Sequence, residues 1–303
     1  MFPPNTNEEG RMTIPSRLTS VLLAVLALFS AAHAPIVRAQ QPSAEARPGP
    51  MQQAIRLDLD GRTSEARAIF QQLIDSAATP AARAAAERAM AMSYAFDGDC
   101  PNTVKYEQMV IDYWKTREQA EPQNAFYQEG EMANEGARVC IDAGDLATAE
   151  RWYRKGYELG TKEPAPQTHP RSLWDFRLAH ALGRLAARRG DRSEAERQIA
   201  NARRILDSDT AMAAQQERFF PYLVGYVALY TNDLPHAASE LTSAIALRGN
   251  ERDPFIHWLL ATTYDRTGRR EEAKAMYQQA LDMARAHNPP SAFVRRASRN
   301  SER

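Results

Sequence analysis

Small and bulky apolar positions alternate along this chain in six segments that share one spacing. Each segment can be anchored on a small residue: Ala66, Thr103, Ala149, Ala195, Ala237 and Ala273. Five residues before the anchors stand Gly61, Gly98, Gly144, Gly190, Asn232 and Gly268, and twelve before stand Ala54, Ala91, Ala137, Gly183, Gly225 and Ala261. Seven residues after them come Leu73, Val110, Gly156, Ala202, Ala244 and Ala280. Between these markers the large side chains follow the helical period, as Leu260, Tyr264, Tyr277 and Leu281 do in the last segment. The pattern predicts a helix, a turn at Gly or Asn, and a second helix, with small residues where the two cross. One such hairpin cannot bury its own apolar face, so neighbouring hairpins must stack. An internal repeat of this kind sets the architecture before any local reading.

The turn residues divide the chain into predicted helix pairs: 50–59 with 63–76, 80–96 with 101–119, and 122–143 with 146–159. Three more follow: 170–189 with 192–206, 211–231 with 234–248, and 254–267 with 270–287. Pro101 and Pro235 stand where a helix should begin. Asp99, Asp145, Asp191 and Asp233 follow their turns and can cap the second helix of each pair. The segment 161–172, TKEPAPQTHPRS, carries three prolines and reads as the one long linker, dividing repeats 50–160 from repeats 173–287. No strand pattern stands out.

These residues resemble the tetratricopeptide repeat family. The clearest unit is PFIHWLLATTYDRTGRREEAKAMYQQALDM, Pro254 to Met283, where Leu260-Ala261, Tyr264, Gly268, Ala273, Tyr277 and Ala280 fall at the family spacing. The resemblance covers about Pro48 to His287 and implies an all-α, right-handed solenoid of about six antiparallel helix pairs. There are departures. The family period is about 34 residues, whereas the turns here are 37, 46, 46, 42 and 36 residues apart. The middle units therefore need longer helices or inserted loops. The second unit also has Thr103 where Ala is usual and Glu107 where a large apolar residue is usual.

The N-terminus reads as a secretory signal. Arg11 and Arg17 precede an apolar run, Leu18 to Ala32, and Val37-Arg38-Ala39 fits a small-residue cleavage site before Gln40. The run is about 15 residues, short of the roughly 20 that span a bilayer. The expected protein is therefore exported, periplasmic or secreted, with no stable membrane insertion after cleavage at Ala39–Gln40. The alternative is a membrane tether through an uncleaved signal anchor. The polar, Pro-containing segment 40–49 reads as a flexible leader, and 288–303, opening with Pro289-Pro290, as a disordered tail. Charged residues make up 25% and apolar ones 44%, ordinary values for a globular protein. The formal net charge is zero, which excludes a global basic field for nucleic acid.

Catalytic signatures are absent: there is no Gly-rich phosphate loop, HExxH or GxSxG. The six histidines are scattered, and Asp58-Leu59-Asp60-Gly61 lacks the acidic residue that would close a calcium loop. No enzyme activity, metal or cofactor is expected. In an exported chain the two cysteines, Cys100 and Cys140, suggest a disulfide; the alternative is one buried and one exposed thiol. The resemblance implies that the first helix of each unit lines a concave groove. At the family's groove-facing offsets stand Met51 and Ile55, Arg88 and Met92, Asn134 and Arg138, His180 and Arg184, Tyr222 and Tyr226, and Trp258 and Thr262. Arg177, Phe219 and Phe255 lie three residues before the last three pairs, and Arg188 extends the basic stripe of the fourth unit. Arginine forks suit carboxylates and aromatic rings serve as anchors. The family's carboxylate clamp is matched only in part, by Asn134, Arg177 and Arg184. The expected function is a protein-interaction scaffold for an envelope or secretion assembly, whose partner carries an acidic segment or a C-terminal carboxylate. The alternative is a groove receptor for a small ligand, a peptide or a cell-wall glycan fragment.

Overall fold

The computed structural model describes residues 48–286. The signal segment 1–39, the cleavage pair Ala39 and Gln40, the leader up to residue 47 and the tail 288–303 lie outside the described residues.

Among the described residues the chain is all helical. The first three pairs are α1 (Pro50–Leu59) with α2 (Thr63–Asp75), α3 (Pro80–Asp97) with α4 (Cys100–Lys115), and α5 (Pro122–Ala143) with α6 (Leu146–Gly160). Next come α7 (Arg171–Arg188) with α8 (Arg192–Ser208), then the short α9 (Thr210–Gln216). The last pairs are α10 (Phe220–Tyr230) with α11 (Leu234–Ala246) and α12 (Pro254–Arg266) with α13 (Arg270–Ala286). Within α1 to α9 each helix packs on the next, as within α10 to α13, and α10 also packs on α7 and α12, so first helices meet one another.

All six turn residues have a left-handed backbone, with φ from 65° at Asn232 to 88° at Gly144. That conformation costs Gly nothing and Asn little. The four aspartates cap as their positions predict: Asp99, Asp145, Asp191 and Asp233 accept from the N–H of Asn102, Thr148, Glu194 and His236. The anchors Ala66, Ala149, Ala195 and Ala237 are wholly buried, as are Ala54, Ala91, Ala137 and Ala261 on the helices they cross. A Cβ placed on Gly225 would lie 2.7 Å from Leu241 Cγ, so that crossing admits no side chain.

The irregular second unit buries both of its unusual residues. Thr103 donates its hydroxyl to the Asp99 carbonyl. Glu107 is 1% exposed, and burial, with the nearby Glu135 adding, pushes its carboxyl well above the ordinary range. Burial thus favours its neutral form where the repeat usually places an apolar side chain.

Two helices differ from the sequence reading. The helix expected over 101–119 ends at Lys115, and 116–120 forms a turn. The helix expected over 211–231 is broken into α9, a 3-10 turn over Glu217–Phe219, and α10. Pro221, second in α10, has no N–H to give the Glu217 carbonyl, and its ring crowds that group.

The Pro-rich segment after α6 is an ordered loop. The buried Glu163 carboxylate accepts from the Thr168 N–H and hydroxyl and from the His169 N–H, and His169 Nδ1 lies 2.9 Å from it. These bonds outweigh the cost of burial and hold the Glu163 carboxyl below its ordinary range. Beyond the loop, Trp174 of α7 fills a notch made by Gly130 of α5 and Gly160 at the end of α6. The stack thus runs on across the prolines.

Candidate functional site

The first helices present helical stripes of charged and aromatic side chains to one another. On α5, Glu131, Asn134, Glu135 and Arg138 recur at three- and four-residue steps, so they share a face. Arg177, His180 and Arg184 do the same on α7. These stripes, with Phe176, Tyr153, Gln216, Phe219, Tyr222, Asp253, Phe255 and Ile256, enclose a half-open cavity of about 210 Å³. The Arg138 guanidinium lies 4.7 Å from the Phe255 ring centre. A side chain of the third unit thereby reaches the sixth, and the inner face closes into a chamber.

Most charges on this wall already have partners. Arg177 pairs with Glu131 and lies over the rings of Tyr127 and Trp174. Arg88 of α3 donates to Glu135 at 2.8 Å. Arg184 is 6% exposed and donates to the hydroxyls of Tyr222 and Tyr153 at 3.1 and 3.0 Å. Arg188 donates to the Tyr226 hydroxyl at 3.4 Å, covers Tyr230 and lies 3.9 Å from Asp142. His180 Nε2 is 3.3 Å from the Phe219 carbonyl, a donor's position for a neutral ring. Burial pushes its pKa well below the ordinary value, and the positive charges of Arg184 and Arg138 push it further. Burial also raises the pKa of Glu135; Glu131 adds to the rise and Arg88 opposes it.

The sequence-predicted residues divide. Asn134, Arg138, Arg177, His180, Arg184 and Tyr222 meet in the one chamber, with Phe219 and Phe255. Arg188, Tyr226 and Trp258 do not line it. Tyr226 is wholly buried in the apolar core between α10 and α12, because its helix turns it inward beside Leu229 and Leu241. Trp258 stacks on Phe255 at 5.5 Å and packs against Ala280 and Ala284. Thr262 donates to the Trp258 carbonyl. The depth of Arg184 also changes its role: it is a buried cation seated among tyrosines rather than a solvated groove residue. Met51, Ile55, Arg88 and Met92 line a second, mostly apolar cavity of about 340 Å³ between α1 and α3.

Sequence reasoning missed Glu131, Glu135, Tyr153, Gln216 and Asp253. The offset that picked out Arg177, Phe219 and Phe255 names Glu131 when applied to the third unit. Tyr153 belongs to a second helix, where no groove offset applies. Cys100, first in α4, is joined by a disulfide to Cys140 of α5, with the Cα atoms 4.8 Å apart. The bond ties the second unit to the third. Among the described residues no cluster of three or more metal-ligating side chains forms.

A sequence model of the tetratricopeptide repeat matches residues 256–287, and a second one for the same repeat matches 137–155 and 177–201. No curated protein compared with the chain matches it. Among solved structures, the nearly identical TPR-like repeats of a kinesin light chain from Podosopora anserina match with 15% identity and a TM-score of 0.32. That match covers 77% of this chain and 92% of the other. A point variant of the same protein gives 17% identity and a TM-score of 0.35 over the same shares. At these scores neither structure bears on the function. The matched segments span α5–α6, α7–α8 and α12–α13, and the other hairpins repeat their turn, anchor and crossing residues in phase, so the array is built of tetratricopeptide-type repeats.

Proposed function

We propose that the protein is an exported scaffold that holds an envelope or secretion assembly together through its concave groove. Tetratricopeptide repeats serve in general as protein-interaction scaffolds. The observation that carries the reading is the gathering of charged and aromatic side chains from α5, α7, α10 and α12 on one inner face. On the described surface Met109 is the one exposed large apolar residue. Export draws support from the disulfide, since such bonds persist in oxidising compartments. No described helix is long and apolar enough to cross a membrane.

The partner would present an acidic segment or a C-terminal carboxylate to Arg177, displacing Glu131. Arg177 and Glu131 keep about a fifth to a quarter of their side chains exposed, at 22% and 28%, so the pair can exchange partners. The test is a pull-down from the native envelope fraction. Wild-type protein should retain one partner in stoichiometric amount, more weakly as salt rises, and Arg177→Glu should retain less. Equal retention by the variant would move the binding site off the inner face. A second reading, a receptor for a small ligand, peptide or cell-wall glycan fragment, is favoured by the closure of the chamber. An α-helix about 10 Å across does not fit a space of this size.

A further inference from the structure

We propose that the inner chamber binds a free zwitterion of amino-acid size with an apolar side chain, its carboxylate toward Arg184 and its ammonium toward Glu131 and Glu135. The proposal rests on the second reading, in which the chamber takes a small ligand. Three observations carry it.

The first is the buried cation. Arg184 is 6% exposed and donates to two phenol oxygens and the His180 carbonyl, and the Asp142 carboxylate adds electrostatic support to its charge. A buried charge held mainly by hydroxyl dipoles is costly, because those dipoles replace water only in part. A carboxylate on the chamber side of Arg184 would complete it. Tyr153 and Tyr222, already bonded to the guanidinium, would hold the fork in place for that carboxylate.

The second is the acidic side of the same chamber. Glu131, Glu135 and Asp253 all line it. Glu135 Oε1 takes the bond from Arg88, while Oε2 is buried without a hydrogen-bond partner. An ammonium group has three donors and would satisfy that oxygen, with Glu131 beside it. The pKa directions agree with this polarity. His180 is driven neutral by burial and by Arg184 and Arg138, whereas Glu135 is pushed up by burial and by Glu131. The buried Glu135 oxygen thus calls for a donor, and the Arg184 guanidinium for an acceptor.

The third is size and lining. The chamber offers about 210 Å³, which suits a ligand of amino-acid size and not a folded segment. Phe176, Phe219, Phe255 and Ile256 supply the apolar wall for its side chain.

The experiment is calorimetric titration of the mature, disulfide-bonded protein, beside a thermal-shift series, with four probes of one shape. These are L-phenylalanine, 3-phenylpropanoate without the ammonium, phenethylamine without the carboxylate, and N-acetyl-phenylalanine amide with neither charge. L-phenylalanine should bind and raise the melting temperature, and loss of either charge should weaken binding at least tenfold. Glu135→Gln, with folding checked by circular dichroism, should weaken L-phenylalanine about tenfold and leave 3-phenylpropanoate unchanged. If 3-phenylpropanoate binds as tightly as L-phenylalanine, the zwitterion proposal falls, and a partner's carboxylate is the better occupant. If none of the probes binds at millimolar concentration, the small-ligand proposal falls, while the envelope pull-down still judges the scaffold reading separately.

Discussion

Replacing Gly130 by Ala should destabilise this protein, against the sign that helix propensity gives. Gly130 lies inside α5, where Ala is ordinarily better than Gly by roughly 1 kcal/mol. Here a Cβ would stand 2.6 Å from Trp174 Cζ3 and 3.0 Å from the Gly156 carbonyl oxygen. Neither neighbour yields easily: the indole is 1% exposed and also faces Gly160, and the second contact is backbone. Overpacking a filled core costs roughly 1–3 kcal/mol. Taking the upper end, because the whole ring must move, and subtracting the propensity gain leaves a net loss of about 2 kcal/mol. For a chain of this size that lowers the melting temperature by roughly 4–8 °C. Thermal and urea denaturation followed by circular dichroism would measure it. The cause is isolated by repeating the change in a Trp174→Leu background, where room for the methyl makes Gly130→Ala neutral or stabilising. The coupling between the two sites should then be on the order of 0.5–3 kcal/mol. A melting temperature that stays the same or rises in the wild-type background would refute the notch, and with it the contact that carries the stack past the prolines.

Three further outcomes can be checked in the same way. Thiol labelling of the native protein should find no free cysteine until a reductant is added. Cys100→Ser should cost about 4 kcal/mol on the chain-entropy estimate for a closed loop, since 40 residues separate the pair, and only against the oxidised wild type. Gly225→Leu should lower the urea midpoint by an overpacking cost of roughly 1–3 kcal/mol, because Leu241 occupies the space; an unchanged midpoint would mean the repeat phase is misassigned. Glu129 is wholly buried, and burial, with Glu118 adding, pushes its carboxyl up to about 7. The folded state then holds a proton that the unfolded state has released. This contribution to stability is full below the ordinary carboxylate range and is lost as pH rises through about 7. Glu129→Gln should flatten that decline between roughly pH 4.5 and 8, and an equally steep decline in the variant would assign it to other groups such as Glu107.

The fold was legible because its markers are local. A small residue at a crossing, a left-handed Gly or Asn, and an Asp cap each leave a sign at a fixed offset, and six copies in phase reinforce one another. The break before α10 was missed although Pro221 marks it, because a strong apolar period runs through the proline. The chamber was legible only in part. Helix offsets brought Asn134, Arg138, Arg177, His180, Arg184 and Tyr222 to one face, yet they carry no information about depth. Whether Arg184 is solvated or buried depends on how tightly the first helices of different units approach, which is a property of the curved stack. The same limit explains Tyr226 and Trp258, whose offsets are right and whose rings are consumed by packing. The Trp174 notch left no usable signal, since Gly130 and Gly160 stand outside the repeat positions.

Site-specific photo-crosslinking in native cells tests the proposed concave scaffold most directly. A photoreactive residue would replace Asn134 or Arg177 on the inner face, and Met109 or Arg204 on the second-helix surface. The account predicts a single protein adduct of the same mass from both inner positions and none from the outer pair. Adducts from Met109 and Arg204 alone, with Asn134 and Arg177 silent, would contradict it and place the binding surface on the opposite side of the array.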